Sequence, residues 1–118
     1  MSRFLDQIGL STFVAIDLET TGLDSRSDEI IELGAVRFEN GKEAARFSQL
    51  VRPRTRLPAE ITKLTGISAC DLKDAPPLEK AASEYIEFVG DAPLVGHHVA
   101  FDLGFLSAAP STADHFRK

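Results

Sequence analysis

The chain reads as an α/β domain built on a mixed sheet. Three observations predict it. Runs of alternating polarity fill the first half, an Asn-Gly pair separates two of them, and helical periodicity takes over in the second half around one short apolar run. From Phe13 to Glu19, Val14, Ile16 and Leu18 share one side of a strand, and Phe13, Ala15, Asp17 and Glu19 share the other. Thr20-Thr21-Gly22 ends that strand, and the polar residues Asp24 to Asp28 form a loop. Glu29 to Glu39, rich in Ile, Val and Phe, is a second strand. Asn40-Gly41 is a strong hairpin signal, and a third strand follows over Glu43 to Val51, closed by Pro53. These three strands form an antiparallel unit.

The period then changes. Pro58 suits the first position of a short helix that carries Ile61 and Leu64 and ends at Gly66. Leu78, Ala81, Ala82, Tyr85, Ile86 and Val89 recur at helical spacing, and Gly90 ends that run. Ala92 to Val95 is a short apolar strand. After Gly96, His97 and His98, a last helix carries Val99, Leu103 and Leu106 on one face. Pro110 breaks the pattern. Residues 1–11 read as an N-terminal extension, 12–108 as the domain, and 109–118 as an unstructured or non-native tail. With such a tail the last helix leaves an apolar face uncovered, which invites association.

Composition sets outer limits. A hydrophobic content of 43% in 118 residues supports a real core and excludes a disordered chain. The formal net charge of -5 argues against holding nucleic acid by a broad basic surface, but not against engaging a strand end at a small metal-charged site. Cys70 is the only cysteine, so no internal disulfide forms and a reducing compartment is the default. No signal peptide and no membrane span is legible, and a cytoplasmic location is expected.

Two places carry chemistry. Asp17 and Glu19 share a strand face about 7 Å apart along the backbone. Two carboxylates that close repel each other, and one takes up a proton unless a cation intervenes. Oxygen ligands of this kind favour magnesium or manganese. Alone, an Asp-x-Glu triplet is weak evidence that occurs often by chance, and it more commonly describes a strand edge whose acids face solvent. The second place is "LVGHHVAFDLGFL", with Asp102 inside the last helix, off the apolar stripe and four residues after His98. Aspartate has poor propensity within a helix, and the neighbours Phe101, Leu103 and Phe105 imply that this helix is largely buried.

"VAIDLETTGLDSRSDEIIELGAVRFENGK" resembles the first motif and following hairpin of the DEDD (DEDDh-type) exonucleases, the family of the proofreading epsilon subunit of bacterial replicative polymerase and of ribonuclease T. "FSQLVRPRTRLPAEITKLTGIS" is similar to the family's next segment, and "LVGHHVAFDLGFL" to its second motif, usually written with His-Asn-x-x-Phe-Asp. The resemblance covers Thr12 to Leu106 and implies a ribonuclease-H-like mixed sheet: three antiparallel strands, then a parallel strand with helices, incomplete at the C-terminus.

It further implies a metal-dependent 3′-to-5′ exonuclease acting on a single-stranded DNA or RNA 3′ end. Asp17, Glu19 and Asp102 would be catalytic metal ligands for Mg2+ or Mn2+, two ions in the intact domain. Thr20, Thr21 and Gly22 would offer backbone N–H groups to the terminal nucleotide. Leu23 would wedge against its base, and Phe101 would pack beside the strand end. His97 fits either a substrate contact or a structural hydrogen bond. His98 stands where the family usually has Asn, and a bond to Asp102, a phosphate contact and a solvent-facing side chain all remain open for it. A DNA polymerase subunit is a candidate partner.

The family's third motif, His-x-x-x-x-Asp, supplies a general base and a fourth carboxylate several tens of residues beyond the second. Here only Phe116, Arg117 and Lys118 follow His115. Without a base, water activation loses about 10²–10⁴-fold, so these 118 residues are expected to be nearly inactive. The alternative function is a non-catalytic module that binds nucleic-acid ends or associates with a polymerase.

Overall fold

The computed structural model describes residues 11–117; the expected N-terminal extension therefore lies almost wholly outside the described residues. Strands β1 (Thr12–Thr20), β2 (Ile30–Glu39) and β3 (Lys42–Leu50) form the antiparallel unit. The short helices α1 (Ala59–Thr65) and α2 (Ala69–Leu72) come next, then the long helix α3 (Leu78–Val89). Strand β4 (Leu94–Val95), helix α4 (Val99–Ala108) and helix α5 (Pro110–Phe116) complete the order. The sheet runs β3-β2-β1-β4, with β4 parallel to β1 through the pairs Val14 to Leu94 and Ala15 to Val95. This is the expected α/β architecture on a mixed sheet.

Alternation fixes the faces. Val14, Ile16 and Leu18 are buried and meet Leu33, Ala35, Tyr85, Val89, Phe105 and Leu106 in the main core. Each such side chain contributes about 1.5–3 kcal/mol when fully buried, so β1 is held chiefly by that row. The hairpin turns on Asn40 (φ 53°) and Gly41 (φ 80°), both left-handed, as a two-residue turn between right-twisted strands requires. A second cluster joins Ile31 to Ile67 and Leu72, with Leu50, Leu57 and Ile61 packed against it. It seats α1 and α2 beside one end of β2.

Three elements depart from expectation. Helix α2 has no apolar periodicity to betray it; it exists through a reciprocal cap, in which Ser68 accepts from the Asp71 N–H and Asp71 from the Ser68 N–H. Asp102 lies in the first turn of α4 rather than mid-helix, where an acid is favoured by the helix dipole. Residues 110–116 are a helix, not an unstructured tail, because Pro110 occupies its first turn and starts α5 instead of merely ending α4. Thr112, Ala113 and Phe116 are buried, Phe116 against Tyr85, and the Thr112 hydroxyl donates to the Leu106 carbonyl at 2.5 Å. The apolar face of α4 is accordingly covered from within the chain.

Candidate active site

Strand β1 presents Asp17 and Glu19 on the face away from the main core, Asp17 exposed and Glu19 half-buried. Register decides what stands beside them. Gly34 of β2 is opposite Asp17, and Glu32 is opposite Glu19. A Cβ at Gly34 would lie 2.8 Å from the Asp17 carbonyl oxygen, so only glycine lets the strands meet there. The Tyr85 hydroxyl donates to the Gly34 carbonyl at 3.0 Å and ties this point to α3. Like charges directly opposite on a sheet destabilise it. Glu32 accepts from the Ser48 hydroxyl at 3.2 Å. Burial first, then the charges of Asp17 and Glu32, raise the Glu19 carboxyl above its usual range.

Helix α4 brings the third acid. Asp102 is only 4% exposed, and its N–H donates to the His98 carbonyl at 3.0 Å. Burial pushes its carboxyl up to about 6, reinforced by Asp17 and Glu19 and opposed by the Leu18 backbone N–H. The Tyr85 phenol is also raised, by burial and then by Asp102 and Asp17. Asp17, Glu19 and Asp102 therefore share one electrostatic neighbourhood. The ion pairs among the described residues lie elsewhere, at Asp24, Glu43 and Glu79, so no basic side chain compensates these three acids.

Among the described residues no three His, Cys, Asp or Glu side chains close around a common point. The acids line one region without forming a cage. Their chemistry nonetheless fits a hard divalent cation: every donor is a carboxylate oxygen, one is buried, and their repulsion is unrelieved.

The turn after Glu19 corrects one expectation. The Thr21 N–H donates to the Glu29 carbonyl at 2.8 Å, and the Glu29 N–H donates to Thr21 Oγ1 at 2.9 Å. The Thr20 hydroxyl donates to the Gly22 carbonyl at 2.7 Å. Both threonines are buried and hold the turn, so the Thr21 amide is not available to a nucleotide. A Cβ at Gly22 would lie 2.3 Å from Asp28 Oδ2, so the turn closes over that carboxylate. Leu23 projects from the turn at 86% exposure. Leu64 on α1 is 81% exposed, whereas Ile61 of the same helix packs against the cluster of Ile31, Ile67 and Leu72. The position of Leu64 at the helix end, one residue before Thr65-Gly66, was the available signal.

His97 and His98 are both exposed, their rings 4.3 Å apart, ahead of α4. His98 meets Asp102 through its backbone carbonyl. Phe101 is half-buried and packs on Phe105 with ring centroids 5.0 Å apart.

The sheet, with acids on its first strand and another on the helix after the parallel strand, has a ribonuclease-H-like architecture. Residues 14–113 match the model of the RNase T exonuclease family, and the chain belongs to that family. It is 47% identical over 105 residues to the DNA polymerase III subunit epsilon of Aquifex aeolicus, spanning 89% of this chain and 52% of that one. It is 40% identical over 94 residues to the PolC-type DNA polymerase III of Clostridium perfringens, spanning 80% of this chain and 6% of that one. The chain thus spans about half of one relative and a small part of the other. Exonuclease X in complex with 5′ overhanging duplex DNA is 28% identical, with a TM-score of 0.70 over 83% of this chain and 55% of that one. E. coli exonuclease I in complex with a dT13 oligonucleotide is 19% identical, with a TM-score of 0.70 over 80% of this chain and 22% of that one, a likeness of fold. No helix among the described residues is long and apolar enough to cross a membrane.

Proposed function

We propose that this domain hydrolyses phosphodiester bonds from the 3′ end of single-stranded nucleic acid, with Asp17, Glu19 and Asp102 as ligands for Mg2+ or Mn2+. The observation that carries the reading is Asp102, an acid buried beside two others with no basic partner among the described residues. When bound, such ions supply positive charge to the scissile phosphate and lower the pKa of water. The chain's own residues do the positioning. Thr20 and Thr21 lock the turn internally, which holds Leu23 outward. Leu23 then offers apolar surface to the terminal base, a contact that reads no base edge and tolerates any sequence. Gly22 keeps the turn tight, and Phe101, half-buried on α4 one residue before Asp102, is proposed to pack against the strand end. His97 and His98 stand exposed ahead of α4 and are proposed as contacts for the strand end.

By analogy with the polymerase III relatives, a polymerase subunit is the proposed partner. The test uses single-stranded DNA labelled at either end, with manganese. Stepwise loss of the 3′ label, abolished by Asp17→Ala, is the expected result. Digestion that survives Asp17→Ala overturns the site, and binding without cleavage favours a non-catalytic end-binding module.

A further inference from the structure

The loop between β3 and α1 is the most basic stretch of an acidic protein. From Ala44 to Ala59 the chain carries four arginines, Arg46, Arg52, Arg54 and Arg56, and no acid, against a net charge of -5. Arg46 pairs with Glu43 and Arg54 with Glu79. Arg52 and Arg56 are exposed and pair with no carboxylate among the described residues.

This loop is fixed in place. The Arg52 N–H donates to the Pro76 carbonyl at 2.8 Å. The Arg54 and Thr55 N–H groups donate to the two oxygens of Glu29 at 2.8 and 2.9 Å, and the Thr55 hydroxyl adds a bond at 2.5 Å. Burial works against the Glu29 carboxylate, but these donors outweigh it and hold it below the usual range. Glu29 is also the residue whose backbone locks Thr21. One residue therefore joins the basic loop to the turn after Glu19. On the other side of Arg56, Leu57 packs in the cluster of Leu50 and Ile61. Leu50 stands across from Glu32, which stands across from Glu19. Arg56 is thus framed by two anchors, Thr55 and Leu57, both of which lead to the Glu19 end of β1.

Uncompensated acids repel a polyanion, whereas guanidinium groups on a fixed perimeter grip its phosphates away from the point of cleavage. Resting on the exonuclease reading above, we infer that the 52–56 loop is a strand-guiding surface, in which Arg56 and Arg52 contact backbone phosphates upstream of the 3′-terminal nucleotide.

The test is binding of a 5′-labelled oligothymidylate to the full chain in calcium, over a series of salt concentrations. Arg56→Ala is expected to weaken binding roughly five-fold at low salt and to reduce the log–log salt slope by about 0.7, the single-strand increment for one phosphate contact. Arg52→Ala should act alike, Arg56→Lys should restore most of the slope, and the deficit should shrink on a dinucleotide. Lys42→Ala, at the start of β3 beside the hairpin turn, should leave affinity and slope unchanged. Unchanged slopes in both arginine variants overturn the inference, as does an equal loss in Lys42→Ala. A chain that binds with this arginine dependence yet never cleaves with manganese favours the non-catalytic end-binding module over the exonuclease reading and leaves the guiding surface standing.

Discussion

Asp102 is asked to ionise where water is scarce and two other acids stand near. Its carboxyl titrates at about 6 in the fold against an ordinary 3.8. A raised carboxyl means that the folded state holds its proton longer than the unfolded chain does. In the metal-free protein, Asp102 therefore subtracts stability progressively from about pH 4 to about pH 6, and the full penalty persists at neutral pH. Asp102→Asn is expected to stabilise the protein in EDTA by roughly 1–3 kcal/mol at neutral pH and to flatten that decline. Thermal melts across this range measure it, and a destabilised variant would count against the assignment. Thr21 makes the opposite case. Thr21→Val removes the acceptor of the Glu29 N–H and a bond to Asp28, and is expected to cost about 1–3 kcal/mol in urea unfolding. The acids at 17 and 19 were legible because strand alternation is local. The commitment of Thr21 was not, because its partner Glu29 returns only after a loop, and neither was Glu32, whose opposition to Glu19 depends on register.

At the scale of elements, helices with a clear apolar stripe were readable and those built on other signals were not. The stripe from Leu78 to Val89 gave α3 directly. Helix α2 rests on a four-residue cap, and α5 on a proline that reads as easily for an ending as for a beginning. The two meanings separate only when the following residues find partners, as Phe116 does on Tyr85 and Thr112 on Leu106. His115 adds a ring nitrogen 2.8 Å from the Gly90 carbonyl, just past the end of α3. If α5 is integral, Phe116→Ala should cost about 3–5 kcal/mol of unfolding free energy, in the range of buried aromatic truncations. A change under about 0.5 kcal/mol, the level of surface substitutions, would show that α5 adds nothing to the core.

For the whole molecule, the fold was legible in class and strand count. Its long-range joints were not, because contacts such as Tyr85 to Gly34 and Arg37 to the Phe88 carbonyl span fifty-one residues and leave no periodic trace. If the three acids hold an ion as proposed, they tie separate elements together and stability responds to divalent ions. Manganese at about a hundred times its dissociation constant should stabilise the chain by about 2.7 kcal/mol, read as a rise in melting temperature. Asp17→Ala should blunt that rise, and an equal rise with and without Asp17 would place the ion elsewhere.

Gly34 carries a consequence for genetics. It holds no charge, touches no substrate in the proposed reaction, and lies on the neighbouring strand. Yet a single added carbon there meets the backbone of Asp17 at 2.8 Å, and the strand would have to move, taking its acid along. A survey of substitutions would therefore score position 34 as intolerant alongside the acids themselves. Its phenotype would mimic a lost ligand, and only a measurement of stability would reveal that the missing quantity was clearance.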